Sequence, residues 1–125
     1  MSKKFVLASL GYAIIGLLLG VYMGATHNHA QLVAHAHILL AGFVLSFIYA
    51  LCHKLWLNEI ESALAKIQFG VHQLGVLALS AGLFLLYGGF VEPASLEAVL
   101  AAASVAVLAG MVLMALMFAT SPNRR

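Results

Sequence analysis

Phe5 to Ala25 is a run of 21 residues without a charged side chain, and Gln31 to Cys52 is a second of the same kind. Two further apolar runs, about Ala63 to Tyr87 and Leu96 to Ala119, carry only Lys66 and Glu97 near their starts. At about 1.5 Å of helix rise per residue, each is long enough to cross the ~30 Å hydrocarbon layer of a bilayer. The chain has 125 residues, is 64% hydrophobic and only 8% charged, and has a mean hydropathy of +1.07. A water-soluble domain of this size cannot hide so much apolar surface in its own core, so its solvent is lipid. The expectation is a single all-α transmembrane domain over residues 1–125, an integral membrane four-helix bundle with spans at about 5–25, 31–52, 63–87 and 96–119. A secretory signal peptide would have a shorter apolar core and a small-x-small cleavage site. The one cysteine, Cys52, excludes an internal disulfide. Nothing points to nucleic acid, since all six cations sit at the ends of apolar runs.

The punctuation agrees with four spans. Gly16, Gly20 and Gly24 recur every fourth residue on one face of the first, the small-xxx-small pattern of closely packed membrane helices; the alternative is that glycine is simply frequent there. His53, Lys54 and Trp56 close the second, with rings and stem expected at the headgroups. Asn58 and Glu61 form a capping-box-like pair that would open the third helix. Gly88-Gly89 is a helix stop, and Ser95 is a candidate N-cap for the fourth, whose Ala-rich face with Ser104 and Gly110 suits close packing. Four spans put both termini on one side, together with Lys3, Lys4, Lys54, Lys66, Arg124 and Arg125, and the positive-inside rule makes that side cytoplasmic. His27, His29, Glu92 and Glu97 fall on the other.

Four of the six histidines lie between Thr26 and Leu40, where the second apolar run begins. Histidine inside a bilayer is costly and is a functional candidate by default. His35 and His37 stand two residues apart, so a helix turns them by roughly 200° and separates them by about 3 Å along its axis. They cannot grip one metal ion together, but each can serve a pocket on its own flank of the helix. Ala34, Ala36, Ala41 and Gly42 around them let a flat, bulky group approach the backbone. Neutral imidazole is a ligand for haem iron, copper and zinc. The plainer reading is a polar pair hydrogen-bonding near the headgroups. His27 and His29 belong to a wet loop. His72 lies roughly 10 Å below the His35 level, too far to share an iron with it. It either joins His53 in a second, inner site or hydrogen-bonds a neighbouring helix.

Val33-Ala34-His35-Ala36-His37 resembles the helix of the haem-copper oxidase catalytic subunit that carries a His-x-His pair, one histidine for each of its two haems. His27-Asn28, eight residues upstream of His35, stands where those oxidases carry a His-Asp pair near a non-redox metal. The specific likeness covers about a dozen residues and continues only in hydropathy. It implies haem, of b type, held by His35 and His37 as iron ligands, and an outer-face metal site at His27 and His29. It also implies a fold like one of the three four-helix arcs of that subunit, and a bacterial inner membrane as location. The oxygen-reducing copper centre does not carry over, because the segments supplying its three histidines have no match here. Proton pumping does not either, because Glu59, Glu61, Glu92 and Glu97 all lie in loops or first turns.

The leading expectation is therefore a small haem-binding, cytochrome-like membrane protein that transfers electrons or binds a diatomic gas, its redox partner undefined. A copper-binding accessory protein for a respiratory enzyme and a structural assembly subunit are the alternatives. One arc leaves packing faces open, and closed symmetry is how identical chains satisfy them. A homotrimer with haem at the protomer boundaries follows from the threefold likeness, with a dimer as the rival.

Overall fold

The computed structural model describes residues 1–122; Arg124 and Arg125, two of the six cations, lie outside the described residues. The described chain is all helical. Four helices, α1 (Ser2–Thr26), α2 (Leu32–Leu55), α3 (Ala63–Tyr87) and α4 (Pro93–Thr120), are each long and apolar enough to cross a membrane. Successive helices run in opposite directions and pack in chain order, α1 on α2, α2 on α3, and α3 on α4.

Small residues set that last contact. A Cβ on Gly75 would stand 3.0 Å from the Ala106 Cβ and 3.1 Å from the Val107 amide nitrogen, and one on Gly110 would stand 3.2 Å from the His72 Cβ. Gly16 and Gly20 likewise face α2, as their spacing predicts, but Gly24 has open space beside it and leaves the pattern one turn early.

Loop chemistry departs from the sequence expectation at two caps. Asn58 and Glu59 take left-handed backbone (φ 54° and 58°) instead of opening α3. Ser62 is its N-cap, accepting a hydrogen bond from the Ala65 amide at 3.1 Å. Glu61 is thereby freed to pair with Lys4 at 3.6 Å. Helix α4 begins at Pro93, with Glu92 rather than Ser95 as N-cap; proline's fixed φ and missing N–H suit the first turn, so it starts the helix early. The Gly88-Gly89 stop is as expected, with Gly89 at φ +69°.

The ends sort as the charges do. Glu59 Oε2 accepts from the Ser2 amide at 3.3 Å and from the Met1 amino group at 3.2 Å, so the α2–α3 loop and the start of α1 share one end. These hydrogen bonds, that from Ser2 foremost, hold the Glu59 carboxyl down at about 2 from an ordinary 4.5. A depressed carboxylate contributes stability above its unfolded value and loses it as pH falls through the folded one. The clasp will therefore be intact above about pH 4.5 and release on acidification toward pH 2. Hydrogen exchange at the Ser2 amide checks this, and Glu59→Gln should flatten the response.

Within α2, residues Ile38–Val44 form a π-helical stretch. A regular α-helix rotates position i+4 by about 40°, and the wider π turn reverses that drift. Ala34, Ile38, Gly42, Ser46 and Ala50 consequently stay on one buried side. Gly42 is required there because a Cβ would fall 2.6 Å from Tyr12 Cγ and 2.8 Å from its Cβ. Those atoms lie at the root of the Tyr12 side chain, so α1 itself must move. Gly42→Ala will cost about 1–3 kcal/mol, as overpacking does, measurable as a lowered Tm in detergent.

Candidate functional site

His35 projects from the first turns of α2 onto the glycine face of α1. Its Nδ1 lies 2.8 Å from the Gly16 carbonyl oxygen, and its Cε1 would lie 2.9 Å from a Cβ on Gly20. Glycine at 16 and 20 is thus what lets an imidazole lie between two helices. His37 points elsewhere, with Nδ1 2.9 Å from the Val33 carbonyl oxygen one turn back. A carbonyl only accepts, so both rings donate through Nδ1–H. Both Nε2 atoms are left without a hydrogen bond from the described residues. Both side chains are half-buried, and His37 directly precedes the π-helical stretch, a distortion common at functional sites.

His27 and His29 are exposed. His27 is the left-handed C-cap of α1 (φ 54°), and Asn28 spends its side-chain oxygen on the Ala30 amide at 3.0 Å. The loop is closed by its own turn chemistry. Among the described residues no three of His, Cys, Asp and Glu gather as a metal-holding group.

His53 and His72 belong to the opposite half of the bundle, and His53 is a correction: it is fully buried rather than at the headgroups. Its ring stacks on Phe5 with centroids 5.6 Å apart. Phe5 in turn meets Phe69 (4.8 Å), Tyr49 (5.6 Å) and His72 (6.5 Å). The N-terminal turn of α1 reaches in far enough to cover a histidine that the sequence places at a helix end. Only Lys54 and Trp56 of that trio are exposed.

His72 takes the hydrogen-bonding role. Its Nε2 lies 3.2 Å from Ser46 Oγ, which also accepts from Gln73 Nε2 at 3.3 Å. Ser46 is eleven residues beyond His35, roughly 15 Å along the helix, so His72 and His35 serve different levels. Gln68 extends this buried polar belt by donating to the Gly110 carbonyl at 3.2 Å.

A cavity of about 760 Å³ opens between α1 and α3 at the His27 end of the bundle, and none of the histidines lines it. Tyr12, Tyr22, Phe84 and Phe90 form much of its wall, with Gln31 and Ser80 as polar members. Gln31, Ser80 and Ser46 are not marked out in the sequence. Single polar residues in apolar helices carry no periodic signal, and only the buried position of each gives it weight.

Fold and site together define an all-helical protein of four membrane-length helices, with one oriented imidazole pair near one end and a buried imidazole–aromatic cluster near the other. No protein-family model, curated protein or solved structure matches the chain.

Proposed function

We propose that this protein is a small haem-binding membrane protein, using His35 and His37 as iron ligands. One observation carries the reading: both rings give Nδ1–H to a backbone carbonyl and keep Nε2 free. Metal-binding histidines are typically held in that manner, because the outer hydrogen bond sets the tautomer and raises the basicity of the ligating nitrogen. Haem held by paired histidines supplies one-electron transfer, or gas binding when one ligand gives way. The chain's own residues orient the rings through the Gly16 and Val33 carbonyls, and Gly20 keeps the ring path open.

Since the two rings leave α2 in nearly opposite directions, one haem cannot take both from the same helix. The oligomer that satisfies both is cyclic, with His35 of one protomer and His37 of the next meeting at each boundary. A homotrimer in a bacterial inner membrane is the assembly we assign. Absorption spectra of the purified protein, oxidised and reduced, test the reading: sharp haem bands support it, while copper without haem, or neither, overturns it.

Orientation follows from the cations. Lys3, Lys4, Lys54 and Lys66 gather at the end where the α2–α3 loop meets α1, and that end is cytoplasmic by the positive-inside rule. Cysteines placed at Asn28 and Pro93 should react with an impermeant thiol reagent on intact cells. Labelling only after lysis would reverse the orientation.

A further inference from the structure

His53 and His72 are both fully buried, and three of their four ring nitrogens have no partner among the described residues. Only His72 Nε2 is met, by Ser46 Oγ at 3.2 Å. The unmet atoms are sealed, so no water reaches them while the bundle is closed. The cover over His53 is Phe5, whose ring stacks on it at 5.6 Å and lies 6.5 Å from the His72 ring, centroid to centroid. Phe5 belongs to the first turns of α1, which the Glu59 clasp on the Ser2 amide ties to the α2–α3 loop.

An imidazolium in this setting would be a buried cation without an acceptor, so the closed bundle keeps both rings neutral. A wetted histidine instead takes up a proton below about pH 6.5. On the acid side of that value an open form binds more protons than the closed one, so acid favours opening and neutral pH favours closure. Below it, the open population rises about tenfold per pH unit for each imidazole wetted, and about a hundredfold for two. No other described group around the pair responds in this range. Glu59 is held at about 2 and stays charged, paired with the Met1 amino group at 3.2 Å, while Lys4 pairs with Glu61 at 3.6 Å. Phe69 of α3 packs on Phe5, and Met117 and Thr120 of α4 lie near His53; none of these side chains titrates. Tyr49 and Cys52, on α2 itself, are neutral below about pH 7.

We propose that His53 and His72 form a proton-operated latch: mild acid swings the Phe5 turn of α1 outward, wets both rings and opens the inner half of the bundle, which closes again at neutral pH. The latch does not involve His35 or His37 and is read without haem bands, so it and the haem reading can fail separately. The reporter is a cysteine in place of Ala50, which is 2% exposed and packs in the cluster around Phe5, in the full chain carrying Cys52→Ala. Its rate of reaction with N-ethylmaleimide, divided by that of Lys54→Cys at an exposed position of the same helix, cancels the ionisation of the thiol. Between about pH 7.5 and 5.5 this ratio should rise about a hundredfold. With His53→Phe or His72→Phe the rise should fall to about tenfold, and with both it should vanish. Glu59→Gln, which loosens the clasp and leaves both rings in place, should raise the ratio at both pH values and keep the hundredfold response. Ala103→Cys, buried in the separate cluster around Ala34, should stay protected throughout. A ratio that does not change with pH in the chain carrying both histidines overturns the proposal, whether or not the phenylalanine variants fold. So does a rise that persists in the double variant, or an equal rise at Ala103→Cys, which would mean that the whole bundle unfolds.

Discussion

His35→Ala and His37→Ala will each abolish the paired-histidine haem spectrum, and a mixture of the two variants will partly restore it. In the proposed site each ring would supply one Nε2, and a six-coordinate iron deprived of either would lose its low-spin bands. The restoration is the sharper result. If each pocket receives His35 from one protomer and His37 from its neighbour, a cyclic oligomer of mixed variants contains some boundaries with both rings intact. Random assortment makes these about one boundary in four. Co-purified variants should therefore show roughly a quarter of the wild-type haem per chain, while either variant alone shows none. A pocket within one chain predicts no recovery on mixing, and native mass spectrometry of the same sample counts the protomers. His27→Ala and His53→Ala should leave the bands nearly intact, the first because its loop is exposed and the second because it lies in the opposite half of the bundle. His72→Ala should chiefly lower stability, through the lost Ser46 contact. Bands that survive loss of both His35 and His37 would remove the haem proposal.

Phe5→Ala will produce the largest loss of stability among single core substitutions. Phe5 is fully buried, and its ring is the common neighbour of Tyr49, His53, Phe69 and His72, which come from α2 and α3. Its removal leaves a cavity walled by two imidazoles with three unpartnered ring nitrogens between them. In water-soluble cores Phe→Ala costs about 3–5 kcal/mol. Lipid competes for the same apolar groups, so here the loss is mainly of packing, about 2–3 kcal/mol. Unfolding of wild type and variant in mixed detergent micelles measures it directly. Phe5→Leu, which refills much of the volume, should recover more than half. An unchanged midpoint for Phe5→Ala would mean that α1 does not close the inner half of the bundle in the manner described.

The four spans were legible in the chain because the cost of burying charge in hydrocarbon acts residue by residue. Any sequence with uncharged runs of this length has few alternatives, so span limits read from composition fall within three residues of the helices at every end. Gly88-Gly89 was legible because only a local left-handed turn was at issue. That His35 and His37 would have different neighbours was legible as well, since two residues of helix pitch turn side chains to different sides; one meets the Gly16 carbonyl of α1 and the other the Val33 carbonyl of its own helix.

Other features depended on neighbours. His53 sits at the end of an apolar run and reads as a headgroup anchor; its burial comes from Phe5, 48 positions away in the chain. The Asn58–Glu61 pair has capping spacing, yet the Met1 amino group, Ser2 and Lys4 draw both glutamates away, and Ser62 takes the cap. The π-helical stretch has no compositional mark. It exists because Tyr12 presses on Gly42 while Ala34 and Ser46 must both face inward. The tautomers of His35 and His37 were likewise decided only when α1 brought the Gly16 carbonyl to one ring and α2 folded the Val33 carbonyl against the other. Local propensity and solvent preference act along the chain and are written in it, whereas a hydrogen bond between Gly16 and His35 exists only once two helices have chosen how to cross.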